Sequence, residues 1–253
     1  MCRHLGYLGP PVPVSEPVLH GPHSLRTQAW APREMRGGGT INADGFGIAW
    51  WRSSIATGYR NPMPIWTDPA VDDVLGQLCT TAVLAAVRSA TLGMPIDRAS
   101  CAPFIRGPWA FSHNGVVPDW RKTIGSVLKG VDGLGGVDAA TLLELETATD
   151  SAALWLALAA RLEAADPASA LRGLVTDVLR AAPDARLNLL LGDGQRLWAT
   201  TCYHSLYVLA SENDTAAAVV IASEPYDDDP RWQPVPDRRL VVARPGELTI
   251  EPI

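Results

Sequence analysis

The alternation of apolar runs and polar breaks divides the chain into a strand-rich region, a helical region and a second strand-rich region. Up to about residue 118, short apolar segments are separated by breaks rich in glycine, proline, asparagine and aspartate, which is typical of strands joined by loops. The elements predicted in this first region are strands at residues 2–8 (closed by Gly9-Pro10-Pro11), 46–51, 82–90 and 109–113, and helices near Glu16 and at 72–80.

From residue 119 to about 180 the apolar positions have a helical spacing instead. The helices predicted there are 139–147, 151–164 with Asp150 as its N-cap, and 168–181 after Pro167. The strands predicted after them are 186–191 and 196–201, joined as a hairpin by Gly192-Asp193-Gly194, then 206–210, 218–222, 239–243 and 248–253. Without an internal repeat or a break in composition, this order predicts a single domain over residues 1–253, in which two packed sheets carry outer helices.

Composition and charge narrow the possible partners. Hydrophobic residues make up 47% of the chain, which is enough for a sizeable core, and the net charge is −6. This acidic balance argues against a nucleic-acid or anionic-membrane partner. The most apolar run, residues 152–160, is shorter than the about 18 residues of a membrane span, so no membrane partner is predicted. The N-terminus also lacks the basic-flanked apolar segment of a signal peptide.

The cysteine pattern argues against a metal centre. Cys2, Cys79, Cys101 and Cys202 show neither a CxxC spacing nor a histidine at metal-ligand spacing, and no phosphate-binding glycine motif is present. We therefore predict no metal, no cofactor, reduced thiols and a cytoplasmic location. Cys79 and Cys202 lie in apolar segments and are predicted to be buried, whereas Cys101 has no assigned role.

Cys2 is placed for nucleophilic chemistry. If Met1 is removed, the thiol and a free α-amine share one residue, and the amine can act, directly or through a water, as the general base for its own side chain. Their reference pKa values are close, about 8.5 for the thiol and about 7.7–8.0 for the amine. A modest shift of these pKa values would therefore suffice for the amine to take the thiol proton. Chance placement behind the initiator explains a cysteine at this position as well, so the rest of the chain must decide.

Asn114-Gly115 follows a predicted strand and has two interpretations. The pair is a common hairpin turn. Alternatively, the Asn114 side-chain N–H and the Gly115 backbone N–H form an oxyanion hole, because glycine allows the main chain to approach a substrate closely. The preceding His113 could act as a base, but a histidine at a strand end more often holds loops together by hydrogen bonds.

Two charged residues suit a substrate that carries both a carboxylate and an ammonium group. Arg88 ends an apolar strand, where a buried cation needs an anion, either a structural carboxylate or a substrate carboxylate gripped in bidentate fashion. Asp150 either caps a helix or binds a substrate ammonium. The segment 42–47 is a turn whose two glycines around an aromatic also suit the wall of a site.

These segments carry a resemblance to a known family. MCRHLGYLG at 1–9, NADGFG at 42–47, VRSAT at 87–91 and FSHNGVV at 111–117 together resemble the class II glutamine amidotransferases, which belong to the N-terminal nucleophile hydrolases. AVRSATLGMP at 86–95 and SEPYDDDP at 223–230 are similar to the branch of that family that acts on γ-glutamyl-hercynylcysteine sulfoxide in ergothioneine biosynthesis. The similarity runs from Met1 to about Val242. It implies an α+β fold, a four-layer αββα sandwich of the N-terminal nucleophile hydrolase type.

The resemblance also implies a role for each matching residue. Cys2 would be the nucleophile that forms a γ-glutamyl thioester, and Asn114 and Gly115 would donate hydrogen bonds to the oxyanion. Arg88 would hold the α-carboxylate of a small-molecule γ-glutamyl substrate, and Asp150 its α-ammonium. The expected products are glutamate and hercynylcysteine sulfoxide.

The distal end of such a substrate carries a trimethylammonium group, which favours an aromatic wall with nearby carboxylates. The candidates are Trp30, Phe46, Tyr7 and Asp44, of which Asp44 is the further binding residue that we predict. Two other functions remain open: a glutaminase that supplies ammonia to a separate synthase, and a non-catalytic binding subunit of the same fold. No synthase module or nucleotide-binding motif is present in the sequence, which favours a self-contained hydrolase.

Overall fold

The computed structural model describes residues 2–36, 38, 41–129, 143–211 and 217–253. The strands are β1 (Arg3–Pro13), β2 (Phe46–Arg52), β3 (Ile55–Asn61), β4 (Cys79–Val87), β5 (Phe104–Arg106), β6 (Trp109–Val116), β7 (Arg186–Gly192), β8 (Leu197–Thr201), β9 (Tyr207–Ser211), β10 (Ala218–Ala222), β11 (Gln233–Pro234), β12 (Arg239–Arg244) and β13 (Glu247–Pro252). The helices are α1 (Glu16–Leu19), α2 (Leu25–Gln28), α3 (Ala70–Asp73), α4 (Trp120–Lys129), α5 (Asp150–Leu162) and α6 (Pro167–Ala181), with 3-10 turns at Ile65–Thr67, Leu75–Gln77 and Arg98–Ser100.

The strands form two antiparallel sheets. The first sheet has seven strands in the order β11-β9-β10-β1-β4-β2-β3, and the second has six in the order β13-β12-β8-β7-β6-β5. The strand that begins next to Cys2, β1, lies between β10 and β4 in the middle of the first sheet. Strand β1 is therefore an interior strand of the sheet rather than an edge strand.

Three apolar cores separate four layers. One core lies between the sheets and contains Leu8, Leu84 and Ala110. A second core packs α1, α2 and α3 on the outer face of the first sheet, and a third packs α4, α5 and α6 on the outer face of the second. This arrangement confirms the predicted αββα sandwich. None of the described helices combines the length and the apolar character needed to span a membrane.

The alternation of side chains along β1 explains how it serves two cores at once. Leu8 belongs to the core between the sheets, whereas Leu5 belongs to the outer core. Odd-numbered residues of β1 therefore face outward and even-numbered residues face the second sheet. Gly6 allows the sheets to approach, because a Cβ at this position would lie 2.9 Å from a Leu197 methyl carbon.

Several predicted boundaries were wrong. Strand β1 passes through Gly9-Pro10-Pro11 and continues to Pro13, because a register shift between Leu8 and Val12 accommodates prolines that cannot donate to the ladder. The helix predicted at 72–80 ends at Asp73, and β4 begins at Cys79 because residues 79–87 pair with β1. Cys79 is consequently exposed rather than buried, whereas Cys202 is buried as predicted.

The predictions for the helical region also needed correction. Residues 143–147 form turns and bends rather than a helix, and Glu144 and Glu146 form ion pairs with Arg106 and Arg60. Residues 139–142 of that prediction lie outside the described residues. Strands β3, β5 and β11 were not predicted, and no range was predicted for the helices α2 and α4.

The N-cap of α5 lies one residue earlier than predicted. Its N-cap is Thr149, whose hydroxyl accepts from the Ala152 N–H at 3.2 Å, so Asp150 is the first helical residue.

Candidate active site

The ladder between β1 and β4 places Cys2 beside Arg88. Arg3 pairs with Val87 and His4 pairs with Ala86, so the next residues of this antiparallel register are Cys2 and Arg88. Residues that lie opposite one another point to the same face, and this face is the gap between the sheets. Cys2 is half-buried, and its thiol lies 3.9 Å from the Ser89 carbonyl oxygen.

Asn114 projects into the same gap from the second sheet. Ala110 of β6 belongs to the core between the sheets, so Ser112 and Asn114 share its face. The His4 Nδ1 and Ser112 Oγ atoms lie 3.3 Å apart across the gap. Along the chain, Cys2 lies two residues from His4 and Asn114 lies two residues from Ser112, and each shares the gap-facing side of that neighbour.

The Asn114 amide is a buried polar group without a protein partner. The residue is 0% exposed, and neither its Nδ2 nor its Oδ1 has a hydrogen-bond partner among the described residues. An unsatisfied buried amide costs about 1–3 kcal/mol, so such groups in a native fold need an explanation. A ligand oxygen bound by Nδ2 in the gap provides one.

Asn114-Gly115 is part of a strand and not a hairpin turn. Asn114 pairs with Asn188 and Gly115 with Leu187 in the β6–β7 ladder, so the hairpin interpretation was wrong. The distinction arises because β6 continues to Val116 with a partner on β7. Glycine is required at 115 since a Cβ there would overlap the Arg186 carbonyl oxygen.

The Arg88 guanidinium is available for an anion. The residue is 9% exposed, and its Nη1 lies 3.4 Å from the Asp44 carbonyl oxygen. Within the described ranges no carboxylate comes within ion-pair distance of it, which disfavours the structural salt bridge as its role. A nearly buried cation without a counter-ion is unstable unless an anion binds beside it.

Asp44 lies next to Arg88 but already has a structural task. Its backbone N–H donates to the Arg88 carbonyl at 3.0 Å, and its carboxylate accepts from the Ala90 N–H at 2.7 Å. The turn is tight at Gly45, where φ is +115° and a Cβ would collide with the Cys101 sulfur. The predicted role of Asp44 in substrate binding stays a prediction.

Asp150 is 8% exposed and lies at the start of α5, where the helix meets the end of β6. Its carboxylate accepts hydrogen bonds from the Val117 N–H at 3.0 Å and from the Ser151 N–H at 2.8 Å. The charge is therefore held by backbone donors close to Asn114, at the N-terminus of a helix, where negative charge is favourable.

His113 is engaged in hydrogen bonds on the other face of β6. Its Nε2 lies 2.9 Å from the Arg186 carbonyl oxygen, so Nε2 carries the proton, and Nδ1 lies 3.0 Å from the Ser151 hydroxyl. This geometry favours the predicted role in holding elements together over that of a general base.

Sequence reasoning missed several buried charged or polar residues on the two faces of the first sheet. Burial lowers the pKa of His4 to about 3 and that of His204 to about 3, so both imidazoles are neutral at physiological pH. Arg3 and Glu224 are 0% exposed. The signal that could have found Arg3 is a charge inside an apolar strand, which implies a buried partner.

The remaining candidates separate into surface and core positions. Phe46 was predicted to line the site but is 0% exposed in the outer core of the first sheet, where its ring packs against Tyr59. The Tyr7 hydroxyl donates to the Pro10 carbonyl at 2.7 Å. Trp30 is 44% exposed and packs edge-on against Trp66, so it remains a candidate for binding an apolar or cationic group.

The buried thiols Cys101 and Cys202 are not suited to catalysis. Burial raises the pKa of Cys101 to about 11, and its sulfur donates to the Asp97 carbonyl at 3.3 Å. Burial also raises the pKa of Cys202. Among the described residues, no group of three or more His, Cys, Asp or Glu side chains could hold a metal ion.

Comparison with known proteins relates this geometry to a family. Residues 23–213 match the family described as glutamine amidotransferases class-II. A γ-glutamyl-hercynylcysteine sulfoxide hydrolase from Mycobacterium tuberculosis is 41% identical over 250 residues, 99% of this chain and 96% of that protein. A protein of the same name from Mycolicibacterium smegmatis is 39% identical over 254 residues, which is 100% of both chains.

Two solved structures share the fold. A glutamine aminotransferase class-II domain protein from Silicibacter pomeroyi superposes with a TM-score of 0.66 at 22% identity, over 99% of this chain and 98% of that chain. The glutamine phosphoribosylpyrophosphate amidotransferase from B. subtilis gives a TM-score of 0.64 at 13% identity, over 99% of this chain and 49% of that chain. At these identities the similarity concerns the fold alone.

Proposed function

Because the chain belongs to the class II glutamine amidotransferases, we propose that it hydrolyses the γ-glutamyl amide of γ-glutamyl-hercynylcysteine sulfoxide. The products are glutamate and hercynylcysteine sulfoxide, an intermediate of ergothioneine biosynthesis. This choice of substrate is based on the match, over nearly the full length, to two relatives that are named for this reaction, at 41% and 39% identity. We further propose that the chain acts as one domain, without a cofactor, in the cytoplasm.

Removal of Met1 gives Cys2 a free α-amine in this proposal. The amine takes the thiol proton, and the thiolate attacks the γ-carbonyl carbon of the substrate. The protonated amine then passes its proton to the leaving nitrogen, so that the amide C–N bond breaks and a γ-glutamyl thioester forms. The same amine activates a water that hydrolyses the thioester and releases glutamate.

Negative charge develops on the carbonyl oxygen in both steps. Asn114 Nδ2 and the Gly115 backbone N–H are the proposed donors to this oxyanion. The unpartnered, fully buried Asn114 amide supports the assignment, because a preorganised donor needs no reorganisation when charge appears.

The γ-glutamyl group carries a carboxylate and an ammonium, and two residues of opposite charge are proposed to hold them. Arg88 binds the α-carboxylate with its planar fork, which the absence of an ion-pair partner among the described residues supports. Asp150 binds the α-ammonium, and Asp44 is a further binding residue on the Arg88 side. The alternative of a glutaminase shares all these contacts and differs only in the leaving group.

The leaving group is therefore what the decisive experiment must vary. Purified protein is incubated with γ-glutamyl-hercynylcysteine sulfoxide or with glutamine at equal concentrations, and glutamate release is followed by mass spectrometry. We expect kcat/KM for the conjugate to exceed that for glutamine at least 100-fold. Intact mass should show loss of Met1.

Two variants complete the design. Cys2→Ala should show no turnover, whereas Cys79→Ala, which alters an exposed thiol, should match the wild type. Preference for glutamine would support the ammonia-supplying alternative. Turnover of neither compound by protein that lacks Met1 would support the non-catalytic one.

A further inference from the structure

Glu224 is a buried carboxylate that the proposed chemistry does not use. It is 0% exposed and accepts hydrogen bonds from the Arg33 N–H at 3.0 Å and from the Glu34 N–H at 2.6 Å. Hydrogen bonds to an ionised acceptor are roughly twice as strong as neutral ones. Glu224 therefore fixes the start of residues 33–36, hereafter the 33–36 loop.

Arg3 binds the same loop from the other side. It is also 0% exposed, and its Nη2 donates to the Glu34 carbonyl oxygen at 2.8 Å. Its Nη1 donates to the carbonyl oxygen of Cys2 at 3.2 Å. Burial lowers the pKa of Arg3, and the negative charges of Glu224 and Glu34 oppose that shift.

Glu34 is thus bracketed by two buried charges. Its backbone N–H donates to the Glu224 carboxylate, and its backbone carbonyl accepts from the Arg3 guanidinium. The tyrosine hydroxyl of Tyr207 adds a bond to the Glu34 carboxylate at 3.2 Å. Removing two charges from water costs several kcal/mol for each ion, which apolar residues of similar volume would avoid. A function that needs a fixed loop explains why this arrangement is present.

The residue before Glu224 ties the same segment to β1. The Ser223 hydroxyl accepts from the His4 N–H at 2.9 Å, and the Ser223 N–H donates to the His4 carbonyl at 3.0 Å. The dipeptide Ser223-Glu224 consequently holds both the first residues of β1 and the 33–36 loop. These bonds reach Cys2 from its main-chain side, opposite to the gap that its thiol faces.

We propose that Glu224 and Arg3 are positioning residues, a charged clamp that holds the 33–36 loop against the Cys2 peptide. By fixing the Cys2 carbonyl, the clamp sets the direction of the thiol toward Asn114. A displacement of about 1 Å can cost roughly 100-fold in rate. The kinetic part of this inference rests on the proposed role of Cys2 as the nucleophile.

Glu224→Gln tests the clamp because it keeps the side-chain volume and one acceptor but removes the charge. We expect kcat to fall at least tenfold with KM within about threefold of the wild type. Trypsin should cut after Arg33 or Arg36 at least tenfold faster, since both arginines lie in the loop. Arg3→Lys keeps the charge but cannot reach both carbonyls, and it should give a smaller change in the same direction.

The control is Glu163→Gln at the exposed end of α5, which should change neither measurement. The rate of Cys2 alkylation, measured by peptide mass spectrometry relative to the exposed Cys79, depends on the position of the thiol and needs no turnover. This relative rate should change at least threefold in Glu224→Gln. Unchanged trypsin cutting and unchanged Cys2 alkylation would overturn the clamp. Faster trypsin cutting of the 33–36 loop with unchanged kcat and unchanged Cys2 alkylation would show that the clamp holds the loop but does not position the Cys2 thiol. If the wild type hydrolyses no γ-glutamyl amide, the proposed function fails, and trypsin and alkylation still decide on the clamp.

Discussion

The Asp150 carboxylate accepts a hydrogen bond from the Val117 backbone N–H at 3.0 Å, which joins the start of α5 to the end of β6. A second bond, from the Ser151 N–H at 2.8 Å, holds the other carboxylate oxygen. The charge proposed to bind the substrate ammonium is therefore fixed by backbone donors before any ligand arrives. Preorganisation of this kind reduces the entropy lost on binding.

Asp150→Asn separates the charge from the structural bond. Asparagine can still accept from the Val117 N–H but cannot form an ion pair, so we expect KM to rise roughly 10- to 100-fold, from a loss of about 1.5–3 kcal/mol. Tm should fall slightly, because the single amide oxygen can replace only one of the two carboxylate oxygens that accept backbone N–H bonds. Asp150→Ala leaves the Val117 N–H without this acceptor and should also lower Tm. Equal KM values for the wild type and Asp150→Asn would reject the ammonium contact.

Two buried asparagines that face each other across β6 and β7 should respond in opposite ways. Asn114 has no side-chain partner among the described residues, so Asn114→Ala should keep Tm and lower kcat roughly 100- to 1,000-fold, or about 2.7–4 kcal/mol. Asn188 donates to the His204 carbonyl at 3.0 Å and accepts from the Cys202 N–H at 3.0 Å. Asn188→Ala should therefore lower Tm. A large loss of Tm in Asn114→Ala would contradict its assignment as a free donor.

Arg88→Lys should raise KM roughly tenfold while kcat changes less than about threefold. Lysine keeps the charge but loses the planar fork that matches a carboxylate. The matched control is Arg52→Lys. Arg52 is exposed and ends β2, whose first residue, Phe46, is the one that pairs next to Arg88. Steady-state kinetics with the γ-glutamyl substrate check the prediction, and a fall in kcat at unchanged KM would argue against carboxylate binding.

The four thiols should differ in their reaction with iodoacetamide at pH 8. Cys79 is exposed and Cys2 is half-buried, so both should be modified in the native protein. Cys101 should stay unmodified because burial raises its pKa to about 11, and Cys202 because burial raises its pKa as well. Peptide mass spectrometry measures each site. Rapid native labelling of Cys101 would show that its surroundings open in solution.

Acidification should destabilise the fold through its buried histidines. Burial lowers the pKa of His4 and of His204 to about 3, so between pH 6.5 and 3 the unfolded chain binds protons that the folded chain does not. The stability is complete above the unfolded pKa and is lost as pH falls, by about 2 kcal/mol for each histidine between pH 7 and pH 5. Urea unfolding at the two pH values measures this loss. His204→Gln should remove about half of it; an unchanged difference would exclude His204 as a source.

Local patterns in the sequence were sufficient for the order of most elements and for the motifs of the site. The hairpin of β7 and β8 was predicted because its turn residues and apolar alternation are neighbours in the chain. Strand β3 was missed because most of its residues are polar, small or exposed and show no regular apolar alternation. The motifs around Cys2, Arg88 and Asn114 could be recognised because each is a short, contiguous string.

Only the tertiary structure decided what each side chain faces. The sequence allows Asn114-Gly115 to be a turn, but in the structure the pair belongs to a strand that pairs with β7. The sequence also allows Phe46 to line the site, but in the structure it is buried in the outer core. The contact of Glu224 with Glu34 joins residues far apart in the chain, and no local pattern specifies such a pair. The sequence by itself determined most of the elements and the candidate reactive groups, because these depend on neighbouring residues. Register and sheet packing decided which groups meet, because burial and hydrogen bonding depend on distance in space.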